Sequence, residues 1–132
     1  MNRTQSILAL VVTGLAVLPA SAHHSFAAVY DADQSVEIEG KVVQFLFRNP
    51  HSVLHVLVPD GSGGSTRWAV EWQGATQLGA RGMNAQTLRP GDPVVVRGNP
   101  GRVVEEHRML LVTITRTSDG FGWGSRPGEV VE

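Results

Sequence analysis

Apolar and polar positions alternate with a period of two through most of the chain, the pattern of half-buried β-strands. From Ser35, Val36, Ile38 and Val42 alternate with Glu37, Glu39 and Lys41, and Phe45 and Phe47 carry this first strand on to about Arg48. Gly40 falls inside it and predicts a bulge or bend. Asn49-Pro50 then interrupts pairing and turns the chain. Residues 52–58 form the second strand, with Leu54, Val56 and Val58 on one face and Val53 and Leu57 on the other, so it is expected at the centre of a sheet. Beyond the glycine-rich turn at 59–64, residues 67–73 alternate again, with Trp68, Val70 and Trp72 on one side and Arg67, Ala69, Glu71 and Gln73 on the other. Residues 75–81 predict one short helix, weakened by Gly79 and Gly82. The turn Arg89-Pro90-Gly91-Asp92-Pro93 leads into a strand at 94–97, and 109–116 supplies the last.

Three strands, a short helix and two strands, with a long first strand bent at a glycine, is the order of a five-stranded OB barrel, whose first strand serves both halves. The predicted fold is therefore all-β with one short helix, a small OB-like β-β-β-α-β-β barrel over residues 35–117. A small antiparallel sandwich is the alternative. The glycine-rich stretch from Ser118 predicts a flexible tail over 118–132.

The chain opens with Arg3, an uncharged apolar run at 7–18, Pro19 and the small-x-small sequence Ala20-Ser21-Ala22. That is the pattern of a secretory signal peptide over 1–22, cleaved between Ala22 and His23. As a helix the run rises only about 18 Å, short of the hydrocarbon core of about 30 Å, so stable membrane insertion is not expected. A periplasmic or secreted product with an N-terminal arm at 23–34 follows. Hydrophobic residues at 42% and charged residues at 17% fit a globular domain. Eleven basic against 12 acidic side chains leave a net charge of −1, which argues against a nucleic-acid partner held by phosphate neutralisation. With no cysteine there is no disulfide, thiolate metal site or lipidated cysteine.

Cleavage before His23 changes the chemistry of the first two of the five histidines. A free α-amine beside the His23 imidazole can chelate one Cu(II), with another imidazole completing a roughly planar set, an arrangement called a histidine brace. His24 offers a second mode through the amine, the intervening peptide nitrogen and its own imidazole. His51, at the strand entrance after Asn49-Pro50, is the better internal partner for the terminal pair, its competing role being a hydrogen bond to backbone at the turn. His55, four residues on, stands about 13 Å away along a strand, too far to share an ion with His51, and its apolar neighbours mark it as a core or surface histidine. His107, between Glu106 and Arg108, reads as a solvated loop residue.

Catalytic signatures are thin: the chain has no phosphate-binding glycine loop, His-Glu-x-x-His or Gly-x-Ser-x-Gly. Glu37 and Glu39 point outward beside Lys41 as a solvated face, not as a glycosidase dyad. Trp68 and Trp72 are expected in the barrel core rather than on a stacking platform. Arg97, Arg102, Arg108 and Arg116, interspersed with acids, read as a mixed surface.

Ala22-His23-His24-Ser25-Phe26, Tyr30-Asp31, Gly40-Lys41-Val42, Asn49-Pro50-His51, Trp68-Ala69-Val70-Glu71 and Leu88-Arg89-Pro90-Gly91-Asp92 together resemble a family of small secreted bacterial proteins known as a domain of unknown function. The resemblance runs from the cleavage site to about Thr115 and implies an exported single-domain protein with a small β-barrel, but no reaction. Ser52-Val53-Leu54 stands where the family pattern often has an aromatic after Asn-Pro-His. The residues themselves point to a copper-binding, metal-handling module using His23, His24 and His51. The rival is an OB-type interaction module that binds a periplasmic protein or small ligand without metal. A redox enzyme ranks third, no shaped substrate surface being identifiable.

Overall fold

In the computed structural model, which describes residues 26–124, Ile38 and Val42 turn inward and Glu37, Glu39 and Lys41 outward along β1 (Val36–Leu46). The first half of β1 pairs antiparallel with β4 (Pro93–Pro100), Val36 opposite Gly98 through Lys41 opposite Pro93. From Lys41 to Leu46 it pairs instead with β2 (Val53–Pro59). Lys41 belongs to both ladders, so one strand serves two half-barrels.

The glycine expected to bulge does something else. The register shift of β1 falls between Val42 and Gln44, leaving Val43 exposed, whereas Gly40 lies where β2 crosses closest. A Cβ there would sit 2.2 Å from the Leu57 carbonyl oxygen. Gly98, at the corresponding shift of β4 against β5 (Arg108–Arg116), would bring a Cβ to 2.3 Å from the Leu110 carbonyl. Both corners require a residue without a side chain.

β2 pairs with β3 (Ser65–Glu71) in a hairpin that sets Val53 opposite Glu71, and β3 closes the barrel by a parallel pairing with β5, Glu71 beside Leu110. The strand order β3-β2-β1-β4-β5 with β3 joined to β5 is a closed five-stranded OB-like barrel, and the closure excludes a sandwich. Inside it Leu54, Val56, Val70, Val94, Val96, Met109 and Ile114 are fully buried, and α2 (Ala75–Gly79) covers one end through Leu78. β2 is central, as its pattern predicts, but only one of its faces is buried: Leu57 lies 42% exposed.

Two segments differ from expectation. The arm carries a short helix, α1 (Phe26–Val29), after which Tyr30 bridges to Gly101 and is buried. The predicted tail is ordered as far as the description extends: Gly122–Gly124 form β6, antiparallel to β5, and Trp123 packs on Trp72 with ring centroids 4.9 Å apart. Arg116 holds the turn before it, binding Asp119 at 2.8 Å, Asp92 at 3.0 Å and the Thr87 carbonyl at 2.6 Å. The barrel domain thus extends past 117 to at least 124, because one aromatic and one arginine outweigh the conformational cost of the glycines. The expected signal peptide, His23 and His24 at one end and residues 125–132 at the other lie outside the described residues.

Candidate functional site

The loop between β1 and β2 is fastened at several points, and His51 rides on it. Ser52 is fully buried, its N–H donating to the Gln73 carbonyl at 3.0 Å and its carbonyl accepting from the Trp72 N–H at 2.9 Å. The Asn49 side chain accepts from the Thr76 N–H at 3.1 Å and donates to the Thr76 hydroxyl at 3.0 Å, capping the first turn of α2 from outside. The Ala75 N–H donates to the Arg48 carbonyl at 3.0 Å. His51 is therefore presented by a backbone tied to β3 on one side and α2 on the other.

Its imidazole meets a carboxylate rather than backbone. The Nδ1–H of His51 donates to Oε1 of Glu71 at 2.6 Å, the His side chain 41% and the Glu side chain 18% exposed. The second Glu71 oxygen accepts the hydroxyl of Tyr30 and lies 3.6 Å from the Arg108 guanidinium. Arg108 also stands 3.5 Å from the Tyr30 hydroxyl and over its ring at 5.8 Å. Burial, with the hydrogen bond to Glu71 adding to it, pushes the Tyr30 phenol well above its ordinary range, so it remains a donor. Phe26 completes the group, its ring 5.0 Å from that of His51. The arm that brings it there is held by the Arg102 N–H on the Val29 carbonyl and the Asp31 N–H on the Pro100 carbonyl, both at 2.9 Å.

His51 and Phe26 line a cavity of about 310 Å³ whose walls also include Trp72, Trp123 and the amide side chains of Gln73 and Gln77. Trp72 is core, 2% exposed; Trp68 is only partly buried and packs edge-on against His107 at 5.4 Å. His107 itself adopts a left-handed conformation, φ 46°, at the end of a 3₁₀ turn at Val104–Glu106. The four arginines do form a mixed surface, Arg97 pairing with Glu37, Arg102 with Asp31, Arg108 with Glu71 and Glu106, and Arg116 with Asp92 and Asp119.

A family model matches residues 10–109. The chain belongs to the family of unknown function DUF6152. The span shared with DUF6152 takes in Tyr30, His51, Glu71 and Arg108, and His23 and His24 as well, but not β6. No curated protein matches the chain. Among solved structures, the mitochondrial single-stranded DNA-binding protein Rim1 of S. cerevisiae is similar at 13% identity and a TM-score of 0.47, over 62% of this chain and 91% of that one.

Of the three ligands expected from sequence, His51 is in the described site and His23 and His24 lie outside it. Among the described residues, no group of three or more His, Cys, Asp or Glu is arranged to hold a metal ion, and no helix is long and apolar enough to cross a membrane. Tyr30, Glu71 and Arg108 were not singled out by spacing. Tyr30 and Glu71 do stand in the segments that carry the family resemblance, which is the one signal that marks them.

His55 sits apart on β2, half-buried, with a buried Nδ1 that has no partner. Burial, and then the charges of Arg67 and Arg48, lower its pKa below the ordinary histidine value. The fold thus favours neutral His55, while the unfolded chain takes up the proton near ~6.5. Stability from this residue is fully present above that value and is lost as pH falls below it toward the lower folded pKa. Thermal melts from pH ~7 to ~5 should show the parent losing more stability than a His55→Gln variant; parallel losses would contradict the assignment.

Proposed function

We propose that the chain, exported and cleaved before His23, is a periplasmic copper-handling module in which the terminal amine, the His23 or His24 imidazole and His51 bind one Cu(II). The observation that carries this reading is the packing of Phe26 on His51. Successive Cα atoms are about 3.8 Å apart, so His24 lies within about 8 Å, and His23 within about 11 Å, of the Phe26 Cα by covalent connection alone. On this reading the arm anchored at Phe26 carries two histidines and an amine toward a third histidine whose Nδ1 is already engaged. Its Nε2 remains as a nitrogen donor, and three nitrogen donors suit Cu(II) in tetragonal geometry.

His51→Ala in the chain from His23 should weaken Cu(II) binding about tenfold or more while the fold persists, since the ring is partly exposed and contributes little core packing. Calorimetric titration tests it. Acidification should weaken binding as well, because imidazole and amine bind metal only when deprotonated. Copper affinity unchanged by the substitution would remove His51 from the site.

One observation favours the metal-free interaction module: the aromatic-walled cavity of about 310 Å³ beside His51 is of the size that small ligands occupy. On that reading a ligand binds whether or not His23 is the first residue.

A further inference from the structure

We propose that Glu71 is a positioning residue that holds His51 in its Nδ1–H form, so that Nε2 is the nitrogen presented for coordination; the inference rests on the copper reading and names the residue that sets its geometry. An ionised carboxylate only accepts hydrogen bonds, so the 2.6 Å contact between Nδ1 and Glu71 Oε1 requires the proton on Nδ1. Free imidazole has no such constraint and divides between two tautomers. A carboxylate behind a metal-binding histidine fixes both the tautomer and the ring plane, and raises the basicity of the ligating nitrogen.

Glu71 is itself held from three directions. It is the last residue of β3, fixed by register opposite Val53 on β2 and beside Leu110 on β5. The buried Tyr30 hydroxyl donates to its second oxygen, and Arg108 supplies a positive charge 3.6 Å away. Tyr30 belongs to the arm that carries Phe26, so the element leading back toward His24 also orients the carboxylate behind His51. The arm, the barrel seam and the histidine loop meet at one side chain.

The test is the imidazole ¹⁵N spectrum of the metal-free chain from His23, recorded about two pH units above the ordinary histidine pKa, combined with Cu(II) titration. The parent should show His51 as the Nδ1–H tautomer. Glu71→Gln, whose amide can donate or accept, should shift the ring toward Nε2–H and weaken Cu(II) binding by about 10–100-fold. Tyr30→Phe keeps the carboxylate and should move both readouts the same way by less. An Nε2–H tautomer in the parent, which needs no variant to fold, would overturn the proposal, as would an unchanged tautomer in folded Glu71→Gln. A fixed Nδ1–H tautomer in a chain that binds no copper would instead overturn the copper reading and leave the Glu71 geometry standing.

Discussion

Replacing Trp72 by alanine should lower stability by about 3–5 kcal/mol, the usual result of truncating a buried tryptophan. The side chain is 2% exposed and lies against Phe45 at 5.9 Å and Trp123 at 4.9 Å between ring centroids. Truncation removes the transfer free energy of the indole and leaves a hole that its neighbours fill only in part. That hole would open into the existing cavity, which Trp72 and Trp123 already line. Because Trp123 reaches the core only through the three-residue strand β6, losing its partner should also release β6 from β5. Chemical denaturation measures the first effect and amide exchange at Gly122–Gly124 the second. A variant with unchanged stability would mean that Trp72 is a ligand platform and not core.

The barrel was legible because its signals are local. Alternation along β1 and β3, the breaks at Asn49-Pro50 and Arg89–Pro93, and the short helix at Ala75–Gly79 each lie within one stretch of chain. β6 was hidden, since Gly122-Trp123-Gly124 has the composition of a tail, and the side chains that hold Trp123, Trp72 just past β3 and Arg81 over its ring, lie far back in the chain. Of the bulge or bend that Gly40 predicts, the bulge falls at Val43, while the glycine sits at the corner where β1 changes partners and answers to a carbonyl 17 residues further along. His51 was legible from its loop motif. Its partner Glu71 was not, because their contact depends on the β2–β3 register and on Trp72 and Gln73 binding Ser52, none of which spacing discloses.

The largest functional effect is expected at the first residue of the cleaved chain. Acetylation turns that nitrogen into an amide without the basic lone pair that closes the chelate ring with the His23 imidazole. Export and cleavage at Ala22 are the precondition, and the intact mass of the periplasmic product should correspond to a chain beginning at His23. A start elsewhere would remove the chelate whatever the barrel does.

Cu(II) titration of the 23–132 chain beside the same chain acetylated at the His23 amine tests the central claim most directly. The acetylated chain, which has no terminal amine, should bind on the order of a hundredfold more weakly, about 2.7 kcal/mol, with the same melting temperature, since Tyr30 and the strands beyond it keep every contact. Equal copper affinity in the two chains would contradict it.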